Sequence, residues 1–133
     1  MDFAERFAER DDGPLVISEA QVVTRATVVA AYKLGLSPHA LAGIIGVSED
    51  AVSRMERLDH LLAKGTEPFR LAVQLIRLFR VLGGVTAGDE AEARRWLHDP
   101  NCELGFIPAE KIGTAGGLAD VLAHLDERHP SLR

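Results

Sequence analysis

Cysteine is almost missing from this chain. Cys102 stands alone, so no internal disulfide can form, no Cys pair of the metal-site type exists, and a reducing, cytoplasmic setting is expected. Aromatic residues are scarce at 5%, and the 47% of hydrophobic residues are mainly Ala, Leu, Val and Ile, a balance that favours packed helices over a β-sandwich. Positive charge is not in excess either. The formal net charge is -5, and Met1–Gly13 carries five acids against two Arg, whereas Gly65–Gly88 carries one Glu against three Arg. Phosphate affinity rests on Lys and Arg displacing counterions, so such a chain is a poor general binder of nucleic acid or anionic membrane. Any DNA contact must come from a local patch or an assembly. No uninterrupted apolar run approaches membrane-spanning length, and the start MDFAERFAERDDG has no basic region followed by an apolar run. A soluble protein without a membrane partner is therefore expected.

What is present reads as helix throughout. The 133 residues have room for one compact domain or two small helical units sharing a core. Gly13-Pro14 breaks any helix begun by the charged start, and residues 1–17 are read as a mobile tail. From Ser18, a good N-cap, apolar residues at Val22, Val23, Ala26, Val29, Ala30 and Leu34 have the spacing of a helix burying one face, which Gly35 stops. Ser37 caps a second helix with Pro38 in its first turn and Leu41, Ile44 and Ile45 facing inward, and Gly46 closes it. Ser48 caps a third, with Glu49 and Asp50 in its first turn and Val52 and Met55 inward. Two short helices around a tight Gly-containing turn form a helix-turn-helix pattern.

The segment EPFRLAVQLIRLFRVLGG is apolar nearly all round except for the stripe Arg70, Gln74 and Arg77, with Arg80 nearby. It is expected to be the covered spine of the fold, ending at Gly83-Gly84. EAEARRWLHDP follows as a helix stopped by Pro100, then a turn-rich stretch, the short helix PAEKI, and GTAGGLADVLAHLDERH as the closing helix, with Thr114 as its cap.

The candidate chemistries are few. On the helix-turn-helix, Ser48, Glu49, Ser53, Arg54 and Arg57 would face a DNA major groove. The leading carboxylates oppose phosphate, and compact helical packing asks for the same pattern. His124 and His129 are five apart, off the register that puts two metal ligands on one helix face, so no metal is expected. The run GTAGGL lacks the Lys-Ser/Thr of a P-loop and follows no strand, which argues against a phosphate cradle. His98 and Cys102 are the nearest approach to a nucleophile with a base, and Pro100 separates them. No catalytic residue, cofactor or enzymatic activity is expected.

The run from Ala93 to Asn101, ARRWLHDPN, followed by Leu104-Gly105, by Ile107-Pro108-Ala109-Glu110, and by Gly117, Val121, Leu122 and Leu125, closely resembles the toxin-binding domain of the Xre/MbcA/ParS antitoxins. With the preceding helix-turn-helix, the resemblance covers roughly Ser18 to Glu127 in that family's domain order. It implies an all-α fold divided into residues 1–17 as tail, 18–82 as an Xre-like helix-turn-helix region, and 83–133 as a toxin-binding domain. It further implies an antitoxin of a type II toxin-antitoxin system whose partner is a RES-domain toxin that cleaves NAD or transfers ADP-ribose. The C-terminal plug for the toxin's active site would be Asp126, Glu127, Arg128, His129, Pro130, Ser131, Leu132 and Arg133. The helix-turn-helix, through Ser48, Ser53, Arg54 and Arg57, would let the complex repress its own operator DNA. A homodimer within a hetero-oligomer is also implied, with the spine and closing helix as its natural interface. Trp96 and Leu97 are expected to bury against the spine and Pro100-Asn101 to turn the chain. A stand-alone helix-turn-helix transcription regulator is the alternative reading.

Overall fold

A computed structural model describes residues 18–129; the expected tail at 1–17 lies outside the described residues. Among those described, seven helices follow one another: α1 (Glu19–Lys33), α2 (Pro38–Ile45), α3 (Glu49–Glu56), α4 (Glu67–Val85), α5 (Glu90–His98), α6 (Pro108–Lys111) and α7 (Gly117–Arg128). The only extended pairing there is an isolated bridge between Asn101 and Phe106. The fold is all-α, as expected.

Most boundaries follow from local chemistry. The Ser18, Ser37 and Ser48 hydroxyls each accept the backbone N–H three residues on, and Ser18 completes a capping box with Gln21. Gly46 ends α2 in the left-handed region at φ 78°, which only a residue without Cβ adopts at no steric cost. Two boundaries and one buried face depart from expectation. The spine does not end at Gly83-Gly84; α4 runs through both to Val85, because a glycine weakens a packed helix without terminating it. Thr114 does not cap α7. Its hydroxyl turns back to donate to the Lys111 carbonyl at 2.7 Å, and Gly116 takes the cap position with no side-chain hydrogen bond.

The third departure is the buried face of α1. Thr24, Thr27, Ala30 and Ala31 face the core, while Val22 and Val29 face outward. Two buried hydroxyls are tolerable because each is hydrogen-bonded. Thr27 donates to the Val23 carbonyl at 2.6 Å, and Thr24 Oγ1 accepts the Leu62 N–H at 2.9 Å across 38 residues of sequence. That bond pins the loop after α3 to α1. Thr24→Val keeps the side-chain shape but strands the Leu62 N–H in a buried setting, so we expect a loss of about 1–3 kcal/mol, whereas Thr24→Ser should retain most of the stability. Urea titration of the two variants checks this.

At the centre lies α4, with Ala72, Leu75, Leu78, Val81 and Leu82 buried. It packs against α1, α2, α5 and α7, so one helix serves both halves of the chain. The closing helix commits its apolar side, Leu118, Val121, Leu122 and Leu125, to the same core. The expected dimer interface on spine and closing helix therefore finds most of its apolar surface already used within the chain.

Candidate functional site

Two surfaces held the candidate residues. On the first, α2 and α3 pack together across the Gly46 turn, and α3 exposes Ser53 and Arg54, with Arg57 exposed just past its end. Their charges are matched inside the chain. Arg54 Nε lies 3.1 Å from Asp50, Arg57 Nε 3.1 Å from Asp59, and Glu49 3.2 Å from His39. The Ser48 hydroxyl is engaged with the Ala51 N–H. The structure thus groups the four residues on or beside one helix, with both arginines answered by neighbouring carboxylates. Exposed pairs of this kind contribute little to stability.

The stripe on α4 divides. Arg70 bonds Glu67 one turn earlier, and that hydrogen bond holds the Glu67 carboxyl below its ordinary value and raises Arg70 above its own. Arg77 instead crosses to α7 and bonds Asp126. Of the polar stripe on the spine, then, one arginine ties the spine to the closing helix.

The second surface is the end of α7. Asp126 is mostly covered: Oδ2 takes the Arg77 guanidinium, and Oδ1 is buried without a hydrogen-bond partner among the described residues. Glu127 is exposed. Arg128 reaches Glu103 at 3.1 Å, and His124 Nε2 lies 3.8 Å from the other oxygen of the same carboxylate, which clips the 101–106 turn to α7. His129 closes the helix, donating its N–H to the Leu125 carbonyl at 2.8 Å. Pro130, Ser131, Leu132 and Arg133 lie outside the described residues.

The turn between α5 and α6 is built as its residues suggest. Asn101 Oδ1 accepts the N–H groups of Glu103 and Leu104 at 2.9 and 3.0 Å, the Asx-type bonding that favours Asn at such a bend. Leu97 is fully buried, and Trp96 is half-buried against the core. His98 and Cys102 do not form a pair, since the His98 Nε2 donates to the Leu34 carbonyl at 2.9 Å and Cys102 is exposed. Arg94, one turn earlier, donates to the Lys33 carbonyl at 3.1 Å. The two side chains grip the C-terminal carbonyls of α1, where a helix leaves acceptors unpaired and favours positive charge. Sequence reading missed this clamp. Its only signal was the four-residue spacing of Arg94 and His98, which puts both on one face of α5.

Residues 77–129, from the middle of α4 to the end of α7, match the family model of the antitoxin Xre/MbcA/ParS C-terminal toxin-binding domain. The matched segment, less than half of the chain, is similar to the toxin-binding domain of the Xre/MbcA/ParS antitoxins. A toxin-binding domain supports an antitoxin role, with a toxin as partner. No curated protein matches the chain. The matched segment contains the Asn101 turn, the Arg94–His98 clamp and the Arg77–Asp126 link, so the motif that carries the resemblance is scaffold: it fixes α7 against α4 and α5 against the end of α1. No group of three or more His, Cys, Asp or Glu among the described residues is placed to hold a metal, and no single helix among them is long and apolar enough to cross a membrane.

Proposed function

We propose that this antitoxin neutralises a RES-domain toxin that consumes NAD or transfers ADP-ribose, and does so by steric block with the C-terminal region that begins on α7. The observation that carries the reading is the match of residues 77–129 to a toxin-binding domain, whose last helix is anchored at Asp126 and Arg128 immediately before Pro130–Arg133. A rigid helix that delivers a short terminal segment loses less entropy on binding than a free chain end. The helix-turn-helix unit would occupy residues 18–82 and the toxin-binding unit 83–133, with α4 serving both. Autorepression would use Ser48, Ser53, Arg54 and Arg57; the matched charges on α3 favour operator binding by an assembly with the toxin over binding by the antitoxin alone.

The test is NAD consumption and ADP-ribosylation by the toxin encoded beside this gene. The intact antitoxin should silence it. A chain ending at His129, which keeps both anchors of α7, should still bind the toxin while inhibition weakens by about tenfold or more, equivalent to roughly 1.4 kcal/mol. Full inhibition by that shortened chain would remove the plug, and no binding by the intact chain would remove the antitoxin pairing in favour of a stand-alone DNA-binding regulator.

A further inference from the structure

We infer that the segment before α1, residues 1–17, turns back along α1 and seats Phe3 and Phe7 in an apolar groove formed by α1, α2 and α3. The groove has a volume of about 480 Å³ and is lined by Val28, Val29, Tyr32, Leu36, Leu41 and Val52, with Glu56 the one charged side chain on its wall among the described residues. Its mouth is open, since Tyr32 is 83% and Val29 42% exposed. Single exposed apolar side chains are ordinary on a monomer; a concave apolar surface drawn from three helices marks a contact surface. The sequence supplies an occupant of matching chemistry. Two of the five Phe stand at positions 3 and 7, four apart and so on one face of a helical turn, while Phe69, Phe79 and Phe106 pack against the core. Each phenyl side chain has roughly 150–250 Å² to bury.

Reach and charge both fit this occupant. Val22, Arg25, Val29 and Tyr32 follow one another at spacings of three and four and are all exposed, so they form a single seam that leads from the start of α1 to the groove. Along the helix Val28 lies about 15 Å and Tyr32 about 21 Å from Ser18. The ten residues 8–17 can span about 33 Å, enough to reach the groove with slack for the turn at Gly13-Pro14. On this path Leu15–Ile17 pass Val22, which is 52% exposed. Arg25 and Glu56 are exposed and enter no ion pair among the described residues. A segment returning along α1 brings Asp11 and Asp12 to Arg25 and Arg10 to Glu56, because Phe3, Arg6, Phe7 and Arg10 share one helical face. Each unpaired charge beside the groove thus meets its opposite. The tether adds to this: a short linker holds its end at an effective concentration on the order of millimolar, so even a modest contact is filled from within the chain. The inference is independent of which toxin is bound.

The experiment is NMR on the isotope-labelled full chain without toxin, with circular dichroism as the folding control. We expect NOEs from the Phe3 and Phe7 rings to the Val28, Val29 and Leu41 methyl groups that persist on dilution, and amide exchange at residues 4–10 slowed by about tenfold or more relative to an unstructured chain. Phe3→Ser/Phe7→Ser, which changes no residue of α1 to α7, should abolish the slowed exchange and shift the groove methyl signals. Val29→Glu should do the same from the groove side at unchanged helicity. Arg10→Glu alone and Glu56→Arg alone should each weaken the protection, and the double exchange should restore it. Unslowed exchange across residues 4–10, NOEs from the two rings to a different surface, or methyl signals indifferent to Phe3→Ser/Phe7→Ser overturn the inference. So do NOEs that, in a mixture of labelled and unlabelled chains, arise between molecules, which would make a second copy the occupant.

Discussion

Gly117→Ala should unfold the junction between α6 and α7 and remove toxin binding with it. A Cβ at Gly117 would sit 1.7 Å from the Lys111 carbonyl oxygen and 2.6 Å from Thr114 Oγ1. The nearest atom is backbone, so no side-chain rotation relieves the contact, and one of the two segments must move by more than an ångström. The residue that follows, Leu118, is buried, as are Val121, Leu122 and Leu125 further along α7, so that movement opens the core beside α4. We expect a loss of about 3 kcal/mol or more, seen as a fall in Tm on the order of 10 °C. Gly113→Ala is the matched control. There a Cβ meets only the Glu110 carbonyl oxygen at 3.6 Å, an ordinary contact, and stability should change by less than about 0.5 kcal/mol. Equal stability of the two variants would mean that α6 and α7 do not approach as closely as described.

Leu78→Ala should destabilise the whole chain rather than one half. Leu78 is fully buried at the middle of α4, the helix against which α1, α2, α5 and α7 all pack. Removing three carbons there forfeits transfer free energy and leaves a cavity that several helices cannot close at once, an effect of about 2–5 kcal/mol against a total stability that for domains is typically about 5–15 kcal/mol. Urea unfolding followed by helicity should show one transition moved to lower concentration. Two separated transitions would show instead that the helix-turn-helix and the toxin-binding domain are stabilised separately. Val73→Ala, on the exposed side of the same helix, should leave the midpoint nearly unchanged.

Those two positions differ in how far the sequence announces them. Leu78 sits in a run so apolar that burial on most sides is the only outcome helix periodicity allows. Gly117 is one of four glycines from Gly105 to Gly117, and nothing local separates it from Gly113 or Gly116; its role comes from the path of the chain back past Lys111. The candidate site divides in the same way. The pairs Asp50–Arg54 and Glu67–Arg70 are written in spacings of four and three on a helix. The Arg77–Asp126 link joins residues 49 apart, and the Arg94 and His98 grip on the end of α1 spans 61 and 64.

The sequence by itself determined the helix starts at Ser18, Ser37 and Ser48, the turn at Gly46, the all-α class and the resemblance carried by ARRWLHDPN, because each depends on atoms within about one helical turn or on a contiguous pattern of residue types. Only the tertiary structure decided which side of α1 is buried, and the reason is physical. Valine and alanine surround that helix almost completely, so hydrophobicity alone selects no face. The buried side is the one on which Ala30 and Ala31 pack into the core and Thr24 satisfies the Leu62 N–H, and it leaves Val22 and Val29 facing outward.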